Sequence, residues 1–151
     1  LAEVNEARRL LERECVRLAA RNRTEEDLAA MRQPVEASRD ERIDDDAFLE
    51  TDLQFHTAVS RAAKNEILQL AMTAVHLVRP RTNRLVVRVL DRTQIADQHW
   101  AIYEAIRDRD ADRAVEAFLQ HVELLQEAQR RSLADQDSAK LPVIDIPAGP
   151  T

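Results

Sequence analysis

Glycine is almost missing: the 151 residues hold one, Gly149, near the end of the chain. Phosphate-cradling loops, dinucleotide-binding fingerprints and nucleophile elbows all need glycine inside the fold, so these are excluded. Sheet proteins also use glycine at turns and bulges, which favours an all-helical chain. The single cysteine, Cys15, rules out an intrachain disulfide and fits a reducing, cytoplasmic setting. Aromatics make up only 3%. Positive charge is in deficit: 22 Lys and Arg against 28 Asp and Glu give −6. So acidic a chain is poorly suited to hold DNA or RNA by itself. The apolar runs are far too short for a membrane span, and no signal peptide leads the chain. It begins at Leu1 without methionine, as a processed product or a piece of a longer protein would.

What is present is apolar spacing of three and four residues nearly throughout, the mark of amphipathic helices. Six are expected. The first covers about 2–21, with Val4, Leu11, Cys15, Leu18 and Ala19 as its stripe. Thr24 caps a second through Thr-Glu-Glu-Asp, which Pro34 should disturb. Asp44 to Asp46 start a third that ends near Lys64. The fourth runs from Asn65 or Glu66 to about Val89, with a kink at Pro80. Thr93 caps the fifth, to about Asp108, and Asp110 the sixth, to about Leu133. Residues 1–133 thus read as one helical domain and 134–151, with Pro142, Pro147, Gly149 and Pro150, as an extended tail. Short connections between long helices imply an antiparallel bundle.

The informative residues are polar ones on apolar stripes. The third helix carries Phe48, Asp52, Phe55, His56, Val59 and Ala63. Asp52 and His56, four apart, share a face with Cβ atoms roughly 5–6 Å from each other. His99 falls on the stripe Ile95, Ile102, Tyr103, Ile106 of the fifth helix. His121 falls on Ala114, Phe118, Leu125, Ala128 of the sixth. A buried carboxylate needs a cation or donors. Three neutral imidazoles and one carboxylate form a suitable shell for a divalent metal. The alternative is that each histidine is a hydrogen-bonded core or rim residue. Four such residues, each on its own stripe, favour the metal.

Two arginines share the pattern. Arg8 lies between Val4 and Leu11, and an inward guanidinium suits a carboxylate ligand or a local pair with Glu12. Arg79 lies in line with Leu68, Met72 and Val75, and is either inward or solvated beside Pro80. His76 sits beside that stripe. Arg79, Arg81, Arg84 and Arg88 read as a solvated face. No Glu-x-x-His pair points to a di-iron site, and no His-Glu-x-x-His motif to a zinc protease. Cys15 reads as core, and no further acid on an inward stripe offers a general base.

Five stretches together resemble the ligand-binding C-terminal (FCD) domain of FadR-type GntR bacterial transcription regulators. They are Glu6-Ala-Arg-Arg-Leu-Leu-Glu12 with Leu18-Ala-Ala20; Thr24-Glu-Glu-Asp-Leu28; Asp52-Leu-Gln-Phe-His56 with Ala62-Ala-Lys-Asn65; His99-Trp-Ala-Ile-Tyr-Glu-Ala-Ile106 with Asp110; and Ala114 leading to His121. They span about 3–130. The resemblance implies an all-α antiparallel bundle of six or seven helices around a central metal and ligand cavity. It implies a divalent ion held by Asp52, His56, His99 and His121, and a small organic acid that completes the metal shell. Arg8 matches the arginine of the first-helix motif. Asn65 matches an asparagine that usually follows glycine, here replaced by Lys64. The DNA-reading winged helix-turn-helix domain of such regulators is expected outside this chain, which would be an isolated effector domain or the visible part of a longer protein.

The expected function is therefore effector sensing for a DNA-binding regulator, with operator DNA reached only through the N-terminal domain. A homodimer is expected, with no membrane partner. The shell suits zinc or nickel, with iron, cobalt or manganese as further options. The ligand set is Arg8, Asn65 and Arg79. Two other readings remain at this point: a metal-dependent enzyme acting on a small carboxylic acid, and a bundle with no ligand.

Overall fold

The computed structural model describes residues 2–78, 87 and 90–139. Among them the secondary structure is six α-helices and no strand: α1 (Ala2–Asn22), α2 (Glu25–Ser38), α3 (Asp45–Ala62), α4 (Glu66–Val78), α5 (Arg92–Arg107) and α6 (Ala111–Ala139). The expected all-α bundle is thus observed. Arg79, the Pro80 kink, the arginine cluster and residues 140–151 of the tail lie outside the described residues.

The helix starts follow from capping chemistry. Thr24 and Asp27 form a reciprocal box: Asp27 N–H donates to Thr24 Oγ1 at 3.2 Å, and Thr24 N–H to Asp27 Oδ2 at 2.8 Å. Asp44 accepts from Ala47 N–H, and Asp110 from Arg113 N–H. The fifth start differs from expectation. Asp91, not Thr93, is the cap, accepting the Thr93 N–H at 2.8 Å. The Arg92 side chain donates to Ile43 O at 2.8 Å, tying the start of α5 to the loop before α3.

Pro34 does not end α2, which continues to Ser38 with Pro34, Val35 and Ser38 buried. Burial outweighs one lost backbone bond. The tail boundary at 134 also shifts, because α6 runs to Ala139. Nothing between Leu133 and Ala139 breaks a helix; the next proline is Pro142.

α1 lies against α3, α4, α5 and α6; α2 lies against α3 and α5, and α5 against α6. The main core joins Val16, Met31, Phe55, Ile102 and Phe118. Buried Ala19, Ala20, Ala62, Ala105 and Ala114 let backbones approach closely. A second cluster places Cys15 against Ala63, Met72 and Val75, between α1, α3 and α4. Burial pushes the Cys15 thiol up to about 12, with Glu12 and Glu14 adding to the effect.

Two joints use left-handed backbone: Lys64 (φ 55°) between α3 and α4, and Arg109 (φ 60°) between α5 and α6. Lys64 Nζ reaches Asp27 at 2.7 Å. Arg109 donates to the carbonyls of Arg21 and Arg23, at the end of α1, while Arg23 donates to Arg107 O at the end of α5. Each arginine thus places its cation at the negative end of the other's helix.

Candidate metal centre

The stripe geometry of α3, α5 and α6 brings four side chains together inside the bundle. Asp52, His56, His99 and His121 are all buried, and one ligand atom from each lies within 4.8 Å of all the others. Asp52 Oδ1 stands 3.5 Å from His56 Nε2 and 3.4 Å from His99 Nε2. Ring centroids are 5.0 Å apart for His56 and His99, 5.4 Å for His56 and His121, and 4.6 Å for His99 and His121. Phe55 stacks on His99 at 4.6 Å and forms one apolar wall.

The outer nitrogens explain the orientation of the rings. His121 Nδ1 is 3.0 Å from the Gln98 amide oxygen. That oxygen only accepts, so Nδ1 carries the hydrogen and Nε2 keeps its lone pair. His56 Nδ1 lies against Glu12 Oε1, a carboxylate that again requires a donor. The Nε2 atoms of His56 and His121 are buried with no hydrogen-bond partner among the described residues. A buried acceptor left so costs about 1–3 kcal/mol, so these atoms fit a site made for a cation. Burial above all, and then the charges of His99, His56 and Arg8, holds His121 well below the ordinary imidazole value despite Asp52. A neutral imidazole is the ligand form.

Arg8 is buried on α1, and its Nε donates to Glu12 Oε2 at 3.1 Å. The local pair expected as an alternative is therefore formed. Arg8 Nη2 remains buried without a hydrogen-bond partner among the described residues. Asn65 is exposed and caps α4, its Oδ1 accepting Leu68 N–H at 3.0 Å. His76 is outside the cluster, its Nδ1 3.4 Å from Thr57 Oγ1. Arg79 is not among the described residues.

Glu12 corrects the expectation that Asp52 is the only inward acid: it is fully buried and bridges Arg8 to His56. It stands four residues after Arg8 and three before Cys15, on the same apolar stripe. The rule that singled out Asp52 and the histidines applies to it equally. Gln98 gave no such signal, because it lies beside the stripe of α5 and reaches His121 across 23 positions.

The FCD domain family model matches residues 3–124. Over 128 residues the chain is 30% identical to the galactonate operon transcriptional repressor of Escherichia coli (strain K12), covering 79% of this chain and 53% of that protein. It is 26% identical over 144 residues to the HTH-type transcriptional repressor NanR of Klebsiella aerogenes, covering 93% of this chain and 55% of that one. The chain thus spans about half the length of the curated relatives it matches. Among solved structures, E. coli McbR/YncC superposes with a TM-score of 0.74 at 18% identity, over 89% of this chain and 68% of that chain. That likeness is one of fold.

Proposed function

The chain belongs to the FCD domain family, and from that premise we propose that it is the effector-sensing module of a GntR-type DNA-binding transcription regulator. Asp52, His56, His99 and His121 hold a divalent metal, zinc or nickel by the nitrogen-rich shell. A small organic acid binds beside it and shifts the module between two states of different operator affinity. Operator binding would belong to an N-terminal domain, in keeping with the net charge of −6 on this chain. The role is regulatory rather than catalytic, in keeping with relatives named as repressors.

The single observation that carries this reading is the buried Asp-His₃ cluster on three helices. Its charge balance supplies the logic. With neutral histidines, Asp52, Glu12 and Arg8 leave one net negative charge. A divalent ion makes this one positive charge, and a monocarboxylate then neutralises it. The metal would supply a Lewis-acid contact for carboxylate oxygen. Arg8, with Nη2 to spare, would take a second oxygen. One relative is named for a galactonate operon, and galactonate is a hydroxy acid of this kind. Asn65 and Arg79 are further ligand-binding candidates; Asn65 also caps α4, and Arg79 lies outside the described residues.

Elemental analysis should find about one divalent ion per chain, and a thermal-shift screen of hydroxy, keto and dicarboxylic acids should raise the melting temperature only of metal-loaded protein. No transition metal after reloading, or equal binding to metal-free protein, refutes the reading.

The module is proposed to pair with a second copy through α4. Ile67, Leu70 and Leu77 are 76%, 70% and 77% exposed, spaced three and seven apart on one face. Glu66 is the only acidic or basic residue of this helix besides His76. Antiparallel packing of the stripe on its own copy sets 67 opposite 77 and 70 opposite 74, with no like charges facing. Leu70→Glu should convert a dimer to a monomer in analytical ultracentrifugation. A wild-type monomer at high micromolar concentration, or a dimer that survives Leu70→Glu, refutes the interface.

A further inference from the structure

We propose that Glu12 is the positioning residue of the metal centre: held by Arg8, its carboxylate fixes His56 as the Nδ1–H tautomer and so presents Nε2 to Asp52, His99 and His121. The inference rests on the metal reading above and extends it to an element, α1, that supplies none of the four ligands.

The geometry is a chain of three contacts. Arg8 Nε donates to Glu12 Oε2 at 3.1 Å. Glu12 Oε1 lies against His56 Nδ1. His56 Nε2 then faces Asp52 Oδ1 at 3.5 Å. Glu12 and His56 are no more than 1% exposed, so water cannot substitute for either partner. A neutral imidazole has one N–H. Both ring nitrogens face a carboxylate, but Glu12 Oε1 approaches Nδ1 far more closely than Asp52 Oδ1, at 3.5 Å, approaches Nε2, so the single hydrogen is assigned to Nδ1. The lone pair is then on Nε2, on the cluster side. Carboxylate partners of this kind fix the ring and raise its basicity, and their loss typically weakens metal binding 10–100-fold. Arg8 has a separate task in this arrangement. Its guanidinium holds Glu12 turned toward His56, so an acid that draws on Arg8 acts on the metal ligand through one shared carboxylate.

A merely structural Glu12 would change stability but neither the tautomer nor the metal affinity. The test therefore reads both. Metal-free protein labelled with ¹⁵N-histidine gives the tautomer of each ring from long-range ¹⁵N–¹H correlation spectra. Zinc affinity follows from competition with a chelating dye. Wild type should show His56 protonated on Nδ1. Glu12→Ala should shift it toward Nε2–H and weaken zinc binding 10–100-fold. Glu12→Gln keeps an acceptor oxygen, so it should keep the tautomer and lose at most about 10-fold in affinity. Wild-type His56 protonated on Nε2 overturns the proposal, and that spectrum needs no variant to fold. A Glu12→Ala protein that keeps either its tautomer or its zinc affinity also overturns it. If wild type binds no zinc, the metal reading fails instead, and the spectrum of the metal-free protein still decides whether Glu12 sets the tautomer.

Discussion

His121→Leu should make the metal-free protein more stable in acid while abolishing its metal site. His121 is fully buried, with Nε2 unbonded among the described residues and Nδ1 on Gln98. Removing the unsatisfied nitrogen relieves about 1–3 kcal/mol. Losing the Gln98 bond costs about 1 kcal/mol, and half-buried Gln98 can turn to water. Repacking a side chain of similar volume costs less than about 1.5 kcal/mol. At pH 7.5 these nearly cancel, leaving a net change between a loss of about 1.5 and a gain of about 2 kcal/mol. The difference widens as pH falls. The unfolded chain protonates this residue below its ordinary value of 6.5, whereas the folded chain does so only well below it. Between those two values wild-type stability falls with falling pH, by up to about 1.4 kcal/mol per unit. The leucine variant has no such group to protonate, so the gap between the two proteins should be wider at pH 5 than at pH 7.5. Urea unfolding of both proteins in chelator at pH 7.5 and pH 5, followed by circular dichroism, measures the gap. Equal gaps at the two pH values would refute the account of a buried, uncharged His121.

Other substitutions test other parts of the structure. His56→Ala, His99→Ala and Asp52→Asn should each weaken zinc binding by 100-fold or more on the order of a lost ligand, whereas His76→Ala should leave it within about twofold; chelator competition separates the two groups. Thr24→Ala removes half of a reciprocal cap and should lower unfolding free energy by about 1 kcal/mol in urea titration. Lys64→Gly relieves left-handed backbone worth about 1–2 kcal/mol but loses an exposed pair with Asp27 worth about 0–1 kcal/mol. It should therefore unfold at equal or higher urea concentration than wild type, and a clear loss would show that the Asp27 contact outweighs the backbone.

The helices and the four clustered residues were legible because both express one periodicity. An apolar stripe every three to four residues marks the buried face, and a polar residue on that stripe must share its burial. Asp52, His56, His99 and His121 obey this on three separate helices, so their meeting followed from amphipathicity. Glu12 obeys it too, yet its neighbour Arg8 offered a local explanation that hid the contact with His56. Contacts between residues beside the stripes, such as Gln98 with His121, depend on how helices are rotated against each other, which periodicity does not encode. Thr93 and Asp91 are both capping residue types two positions apart, and aspartate is the stronger of the two. The Thr93 N–H bonded to Asp91 Oδ1 marks the earlier start, and the Arg92 side chain bonded to Ile43 O accompanies it. The end of α6 was misplaced because a polar run resembles a tail until a breaker appears.

The seclusion of Cys15 gives the protein an internal clock for its own opening. With a thiol near 12, roughly one molecule in ten thousand is a thiolate at pH 8, and even that one is shielded by Ala63, Met72 and Val75. A thiol reagent can therefore react only after α1, α3 and α4 separate. Since there is no second cysteine, every modified molecule records one such event. Any metal or acid that binds the closed form alone must slow this labelling in proportion to its saturation, so occupancy could be counted by mass spectrometry without a spectroscopic signal from the ligand.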